Sequence, residues 1–179
     1  FDPSGGPDLL YFGRIHPDKG PVAAIEAALK TGYRLQMYGV VQDREHHERD
    51  VLPLVDGDQI RFHGAVGGQE RIRALGQAKA LLHLIDFEEP FGLSVVEAMA
   101  AGAPVAASAA GGIPELLDHG AAGRLVEPNT PEAWREAIVA LLESEESRAS
   151  FAAAGRERAQ ATRSRELASQ RAANLRRLM

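Results

Sequence analysis

The chain has no cysteine, which excludes disulfides and thiolate metal ligands and suits a reducing, cytoplasmic setting. It has no long apolar run, so the sequence predicts neither a transmembrane helix nor a secretory core segment. No Walker loop is present, and no serine, histidine and acid stand at a spacing that suggests a hydrolytic triad. The first loop, Gly13-Arg14-Ile15-His16-Pro17, lacks the Gly-x-Gly-x-x-Gly fingerprint, which disfavours a nicotinamide dehydrogenase. His46 and His47 are adjacent rather than one helical turn apart and have no third ligand nearby, so a solvated helix face is expected there instead of a metal site. A formal charge of −5 argues against a general nucleic-acid binder. An initiator methionine is also missing. The chain opens Phe1-Asp2-Pro3-Ser4-Gly5-Gly6-Pro7, whose proline and glycine suit an interdomain linker, and an excised domain is expected.

What is present reads as one domain with a real core, at 179 residues. Asp8 to Gly13 is a buried first strand, and a polar loop leads to a helix from Pro21 to Thr31, stopped by Gly32. Val22, Ile25, Ala28 and Leu29 would form its apolar face. Tyr33 to Val40 is a second strand, with a polar helix from about Gln42 to Leu54 after it. Further strands are expected at Gln59 to Phe62, Leu81 to Ile85, Pro104 to Ala107 and Gly123 to Val126. A helix opens at Gly67-Gly68, and another runs from Thr130 to Leu142 with Thr130 as cap and Pro131 at its first position. Strands alternating with helices imply right-handed crossovers and a parallel sheet. The fold class is therefore α/β, a Rossmann-like doubly wound parallel sheet of about six strands in the order 3-2-1-4-5-6, with C-terminal helices. In that order the first and fourth strands are neighbours, so loops 13–20 and 85–92 meet at one crevice.

The chain is organised around the segment that starts at Phe87-Glu88-Glu89-Pro90-Phe91-Gly92-Leu93 and continues to Gly102. An apolar strand precedes it, and a helix begins about Phe91-Gly92-Leu93. The first amides of a helix lack internal partners and lie at the positive end of its dipole, a ready anion site. Gly92 admits a ligand close to the backbone. Glu97 lies among Val95, Val96, Ala98 and Met99, in a helix that is apolar on nearly every face. Buried there, its carboxylate requires donors, because without them it costs about 2–7 kcal/mol. Sugar hydroxyls are suitable donors. On the other reading Glu97 lies on the one solvated stripe of the helix and Glu89 merely caps it.

Glu89 and Glu97, with Pro90-Phe91-Gly92-Leu93 between them and Ala98-Met99-Ala100-Ala101-Gly102-Ala103-Pro104-Val105 following, resemble the signature of family 4 retaining glycosyltransferases. These are GT-B enzymes of two Rossmann-like domains, and the pattern belongs to the second, donor-binding one. The resemblance implies that the donor is a nucleotide diphosphate sugar, with no cofactor and no metal. It implies that Gly13-Arg14 and Lys19-Gly20 contact the diphosphate and help it leave, and that Glu89 holds the transferred sugar. Glu97 would hold the ribose, and backbone around Pro90, Phe91, Gly92 and Leu93 the distal phosphate and sugar. Ala65 and Val66 would meet the base through main chain, and Gly39 would allow a close backbone approach. The sequence departs from the family pattern at Val41, where a second glycine is frequent, and at Ile85-Asp86, where Pro-Ser is common. Gly111-Gly112-Ile113-Pro114-Glu115 is read as a tight turn and a short helix, with Glu115 supporting the crevice.

On this reading residues 1–7 are a linker and 8–143 the nucleotide-sugar-binding domain. Residues 144–179 would form two helical stretches that pack on the domain and toward a missing N-terminal acceptor domain. Leu167, Arg171, Leu175 and Leu178 mark the face that domain would cover, and a membrane surface concerns only the whole enzyme. The isolated domain is expected to bind nucleotide weakly and to turn over little or nothing. The alternatives are another GT-B enzyme, such as a phosphorylase or epimerase, and a non-catalytic nucleotide-sugar-binding or assembly module.

Overall fold

Short runs of apolar residues, buried on both faces, build a six-stranded parallel sheet in the order β3-β2-β1-β4-β5-β6. The computed structural model describes residues 6–142 and 144–178, and in the last helix side chains as far as Arg163. The strands are β1 (Leu9–Phe12), β2 (Leu35–Tyr38), β3 (Ile60–Phe62), β4 (Ala80–His83), β5 (Val105–Ser108) and β6 (Arg124–Val126). The central pair sets Leu9 beside Ala80 and Leu10 beside Leu81. Side chains alternate across the sheet, so Leu9, Tyr11, Leu82 and Leu84 enter one core and Leu10, Leu81 and Ile85 the other.

The first core is covered by α1 (Pro21–Thr31) and α6 (Pro131–Leu142). Pro21 at the first position and Gly32, in the left-handed region at φ 73°, bound α1 where the sequence places them. Its buried face is Pro21, Ala24, Ile25, Ala27 and Ala28, whereas Leu29 is 43% exposed, a correction to the expected face. Thr130 Oγ1 accepts from the Ala133 amide, so it does cap α6. Fully buried Trp134 donates from Nε1 to Asn129 Oδ1 at 2.6 Å, and Asn129 Nδ2 donates to the Ile85 carbonyl at 3.1 Å. The Ile85 amide in turn donates to Ser108 Oγ at 3.1 Å. This chain of bonds ties the segment leaving β4 to β5 and α6.

The second core is covered by α3 (Gly68–Gly76), α4 (Leu93–Ala101) and α7 (Glu145–Leu178). The two stretches expected in the tail are one continuous helix. Gly155 lies in its middle, where a Cβ would come within 3.2 Å of Met99 Cγ, so the glycine serves close packing on α4 and does not end the helix. The stripe of Leu167, Arg171, Leu175 and Leu178 lies outside the described side chains.

Between β2 and β3 the polar segment forms α2 (Arg44–His46), a π-helical turn (His47–Val51) and a 3-10 turn (Leu52–Leu54). His46 is 8% exposed and bonds Asp50 Oδ2 through Nδ1 at 2.8 Å, and His47 lies 5.2 Å from the Phe62 ring. The expected solvated pair is thus corrected: these imidazoles pack under the helix. The remaining short helix, α5 (Ile113–Leu116), follows the Gly111-Gly112 turn. Glu115 is exposed there and does not line the crevice. Its carbonyl accepts from Arg158 Nη2 at 2.6 Å.

Candidate functional site

Strand order reverses between β1 and β4, and a cavity of about 480 Å³ opens at their C-terminal ends. Of the residues expected in a site, all but Gly92 and Glu97 line it: Gly13, Arg14 and Lys19 from the first loop, Gly39, Ala65 and Val66 after β2 and β3, and Glu89, Pro90, Phe91 and Leu93 before α4. The two loops are joined directly, since the Asp86 amide donates to the Asp18 carbonyl at 3.1 Å.

Gly39 does make a close backbone approach, but to the protein's own first loop. A Cβ built on it would fall inside van der Waals contact of the Gly13 carbonyl oxygen. The Gly13 amide donates to the Tyr38 carbonyl, and Tyr11 Oη donates to the Arg14 carbonyl at 2.7 Å. Arg14 is thereby set at the cavity edge, where its guanidinium bonds Gln42 Oε1 and lies 3.7 Å from Asp18. Val41, where a glycine is frequent, pairs with Ile15 in a parallel bridge and packs on the core.

Glu89 has two partners. Lys19 Nζ donates to its Oε2 at 2.6 Å, and the Gly92 amide donates to its Oε1 at 3.2 Å. Only 12% of the Glu89 side chain and 14% of that of Lys19 are exposed. Burial raises the Glu89 pKa, but the Lys19 hydrogen bond, the Gly92 amide and the neighbouring charges outweigh it and hold the carboxyl below its usual range. The ammonium also lies 4.2 Å from the centre of the Phe87 ring. Gly92 caps α4 from the left-handed region, at φ 73°, instead of forming its first turn. Gly111 and Gly112 brace this turn from beneath, with the Gly112 amide donating to the Glu89 carbonyl at 2.7 Å.

Glu97 is a correction. It is not buried: 38% of its side chain is exposed, on the edge of α4 that faces α3, and Arg71 Nη2 donates to its Oε2. The guanidinium of Arg71 lies 5.0 Å from the centre of the Phe12 ring, and Arg71 lines the cavity. Among the described residues no group of three or more His, Asp or Glu is arranged to hold a metal ion, and no helix is long and apolar enough to cross a membrane.

The profile of the family described as Glycosyl transferases group 1 matches residues 2–158. The chain belongs to that family. It is 33% identical over 153 residues to a D-inositol 3-phosphate glycosyltransferase of Streptomyces griseus, covering 72% of this chain and 30% of that protein. This glycosyl transferase chain therefore spans about a third of the length of curated relatives it matches. The C-terminal domain of a glycosyl transferase group 1 family protein from Francisella tularensis superposes with a TM-score of 0.71 at 25% identity, over 88% of this chain and 86% of that one. An Anabaena protein solved in complex with UDP-glucose superposes with a TM-score of 0.80 at 22% identity, over 94% of this chain and 49% of the other, which speaks for the fold.

Seven residues that line the cavity of this glycosyl transferase domain are not expected from sequence, and Arg71 and His83 are the two among them with ionisable nitrogen groups. An arginine on a polar helix reads as solvated, and its carboxylate partner lies 26 residues away. His83 is concealed in an apolar strand, and the only signal is an imidazole at the strand's cavity end. Its side chain is 7% exposed, and desolvation, with the Lys19 charge adding to it against the opposing pull of Glu89, pushes its pKa down to about 4. The folded value lies below the unfolded 6.5, so the unfolded chain binds the extra proton as pH falls between them. Stability should fall by about 1.4 kcal/mol per pH unit from 6.5 toward 4, about 3 kcal/mol in all. Denaturant unfolding of the protein and of His83→Gln across that window checks it: the variant should lack this component, and parallel pH profiles would refute it.

Proposed function

We propose that this chain is the donor-binding domain of a retaining glycosyltransferase, which moves a sugar from a nucleotide diphosphate sugar to an acceptor hydroxyl. One observation carries the reading: Arg14, Lys19, Arg71, Glu89 and the first turn of α4 converge on a single cavity where the sheet order reverses. A diphosphate is the ligand that such cations and amides complement. The UDP-glucose complex of the Anabaena protein and the name of the Streptomyces relative agree with a sugar donor and a hydroxyl acceptor.

In this reading Arg14 and Lys19 hold the diphosphate together with the amides of Leu93 and Ser94 in the first turn of α4. They stabilise the charge that builds as the bond from anomeric carbon to phosphate oxygen breaks. The electron pair of that bond goes to the leaving phosphate. The acceptor oxygen bonds the anomeric carbon on the same face, and its proton passes to the departing phosphate, so configuration is retained. Glu89 accepts from sugar hydroxyls and Glu97 from the ribose, while Gly39, Ala65 and Val66 border the base. No cofactor or metal takes part. The acceptor pocket belongs to an N-terminal partner domain, so the chain alone binds donor without appreciable turnover. The working place is the cytoplasm, and a membrane surface would enter only through the whole enzyme.

Calorimetric titration with UDP, GDP and ADP, each with and without its sugar, tests this. One nucleotide series should bind selectively. Glu97→Ala should weaken it about tenfold or more, the loss expected for hydrogen bonds to a charged acceptor. A folded chain that binds none of the three would overturn the proposal.

A further inference from the structure

His83 ends β4 at the cavity wall, and the donor-site reading above, on which this inference rests, leaves it without work. Its Nδ1 lies 3.5 Å from Ser94 Oγ, and its Nε2 is buried with no hydrogen-bond partner. An unpartnered buried polar atom is costly, which makes it a marker of an interaction made in another state. Nε2 stands 4.0 Å from Glu89 Oε2, the oxygen that Lys19 holds at 2.6 Å.

Two of these partners cannot both be kept when a donor arrives. A diphosphate competes for the Lys19 ammonium, because its oxygens carry more charge than one carboxylate. Once Lys19 turns to it, Glu89 keeps only the Gly92 amide on Oε1, and Oε2 is left bare. That is the moment at which the carboxylate must present its remaining lone pairs to sugar hydroxyls in a fixed orientation. In the tautomer that lets the Ser94 hydroxyl donate to Nδ1, the ring proton is on Nε2, and burial favours the neutral ring that can donate there. A movement of about 1 Å brings the pair to hydrogen-bond distance.

We propose that His83 is a positioning residue for Glu89: its Nε2–H takes over Oε2 when Lys19 moves to the diphosphate, and fixes the carboxylate on the donor sugar. The exchange predicts a role in binding the sugar and none in binding the nucleotide alone.

The test is calorimetric titration of the protein and of His83→Phe, His83→Gln and His83→Asn with UDP and UDP-glucose, GDP and GDP-mannose, and ADP and ADP-glucose. The readout is the gain in affinity that the sugar brings to the nucleotide that binds. His83→Phe should reduce nucleotide-sugar affinity about tenfold while leaving the bare nucleotide within about twofold. Gln, whose amide nitrogen reaches the Nε2 position, should restore the gain, and Asn, which reproduces only Nδ1, should not. In a Glu89→Gln background, His83→Phe should have no further effect. Equal losses for nucleotide and nucleotide sugar would show a purely structural histidine and overturn the inference, as would equal rescue by Asn or losses that add to those of Glu89→Gln. If the unaltered protein binds a nucleotide with no gain from its sugar, the assignment of Glu89 fails first and the inference falls with it.

Discussion

Lys19→Ala should destabilise the domain by about 3 kcal/mol at neutral pH, and adding Glu89→Gln should recover most of that loss. Both partners are largely withdrawn from water, with 14% and 12% of their side chains exposed, and removal of one leaves the other's charge uncompensated. Neutralising Glu89 removes the penalty, although the Lys19 contact with Phe87 remains lost in both variants. The pH dependence identifies the cause. With Lys19 in place the folded pKa of Glu89 lies below its ordinary value, so the carboxylate contributes stability above that value and loses it as pH falls through the folded one. Without Lys19 the burial effect dominates and the folded pKa is raised. The single variant then gains relative to the unaltered protein on acidification, and the gap narrows between pH 7 and pH 5. Urea unfolding at both pH values checks this. A double variant as unstable as the single one, or a gap that ignores pH, would rule out an uncompensated charge. Nucleotide diphosphate binding should be lost in both variants, since the cation that meets the phosphates is gone from each.

The same pair helps to hold the site folded. Each acidic residue of the motif is held by a cation of the chain, Glu89 by Lys19 and Glu97 by Arg71. Both carboxylates are thus compensated within the chain itself. This arrangement was half legible in the sequence. Lys19 and Glu89 were readable as neighbours because their loops are bounded by turn residues and by the helix start at Leu93, and topology brings the loops together. Arg71 was not, because its pairing depends on how α3 packs against α4, and no spacing within either helix encodes that. The strands were readable for a local reason: buried parallel strands are continuous apolar runs, and Leu9–Phe12 and Ala80–His83 are such runs. The last helix is not legible as one piece because its continuity is a tertiary matter, set by the packing of Ala154, Gly155 and Ala159 against the α4 layer. The exposure of Glu97 is hidden in the sequence for a local reason. A helix surrounded by apolar residues still has an edge, and the edge that faces α3 admits water and an arginine.

Gly39→Ala should cost the domain about 3 kcal/mol and abolish donor binding together with it. The backbone at Gly39 needs no left-handed conformation, since its φ is not among the positive ones. The obstacle is space alone. The added methyl collides with the carbonyl of Gly13, a backbone atom fixed by the Gly13 amide bond to Tyr38 and by the bridge between Ile15 and Val41. A side chain would swing aside, but this carbonyl moves only with the whole first loop, which carries Arg14 and Lys19 into the cavity. Gly64→Ala is the matched control. Gly64 has φ 75° with nothing within 4 Å of a built Cβ, so alanine there meets conformational strain without collision and should cost about 1 kcal/mol. The Gly64 carbonyl accepts from the Gly39 amide at 2.9 Å, so the two changes probe neighbouring ends of one hydrogen bond with opposite causes. Thermal unfolding and nucleotide titration of both variants separate them: Gly64→Ala should keep its affinity, and Gly39→Ala should lose stability and affinity in step. Normal nucleotide affinity in a folded Gly39→Ala protein would mean that the first loop does not hold the diphosphate cations in place, and the positional role of Arg14 and Lys19 would have to be abandoned.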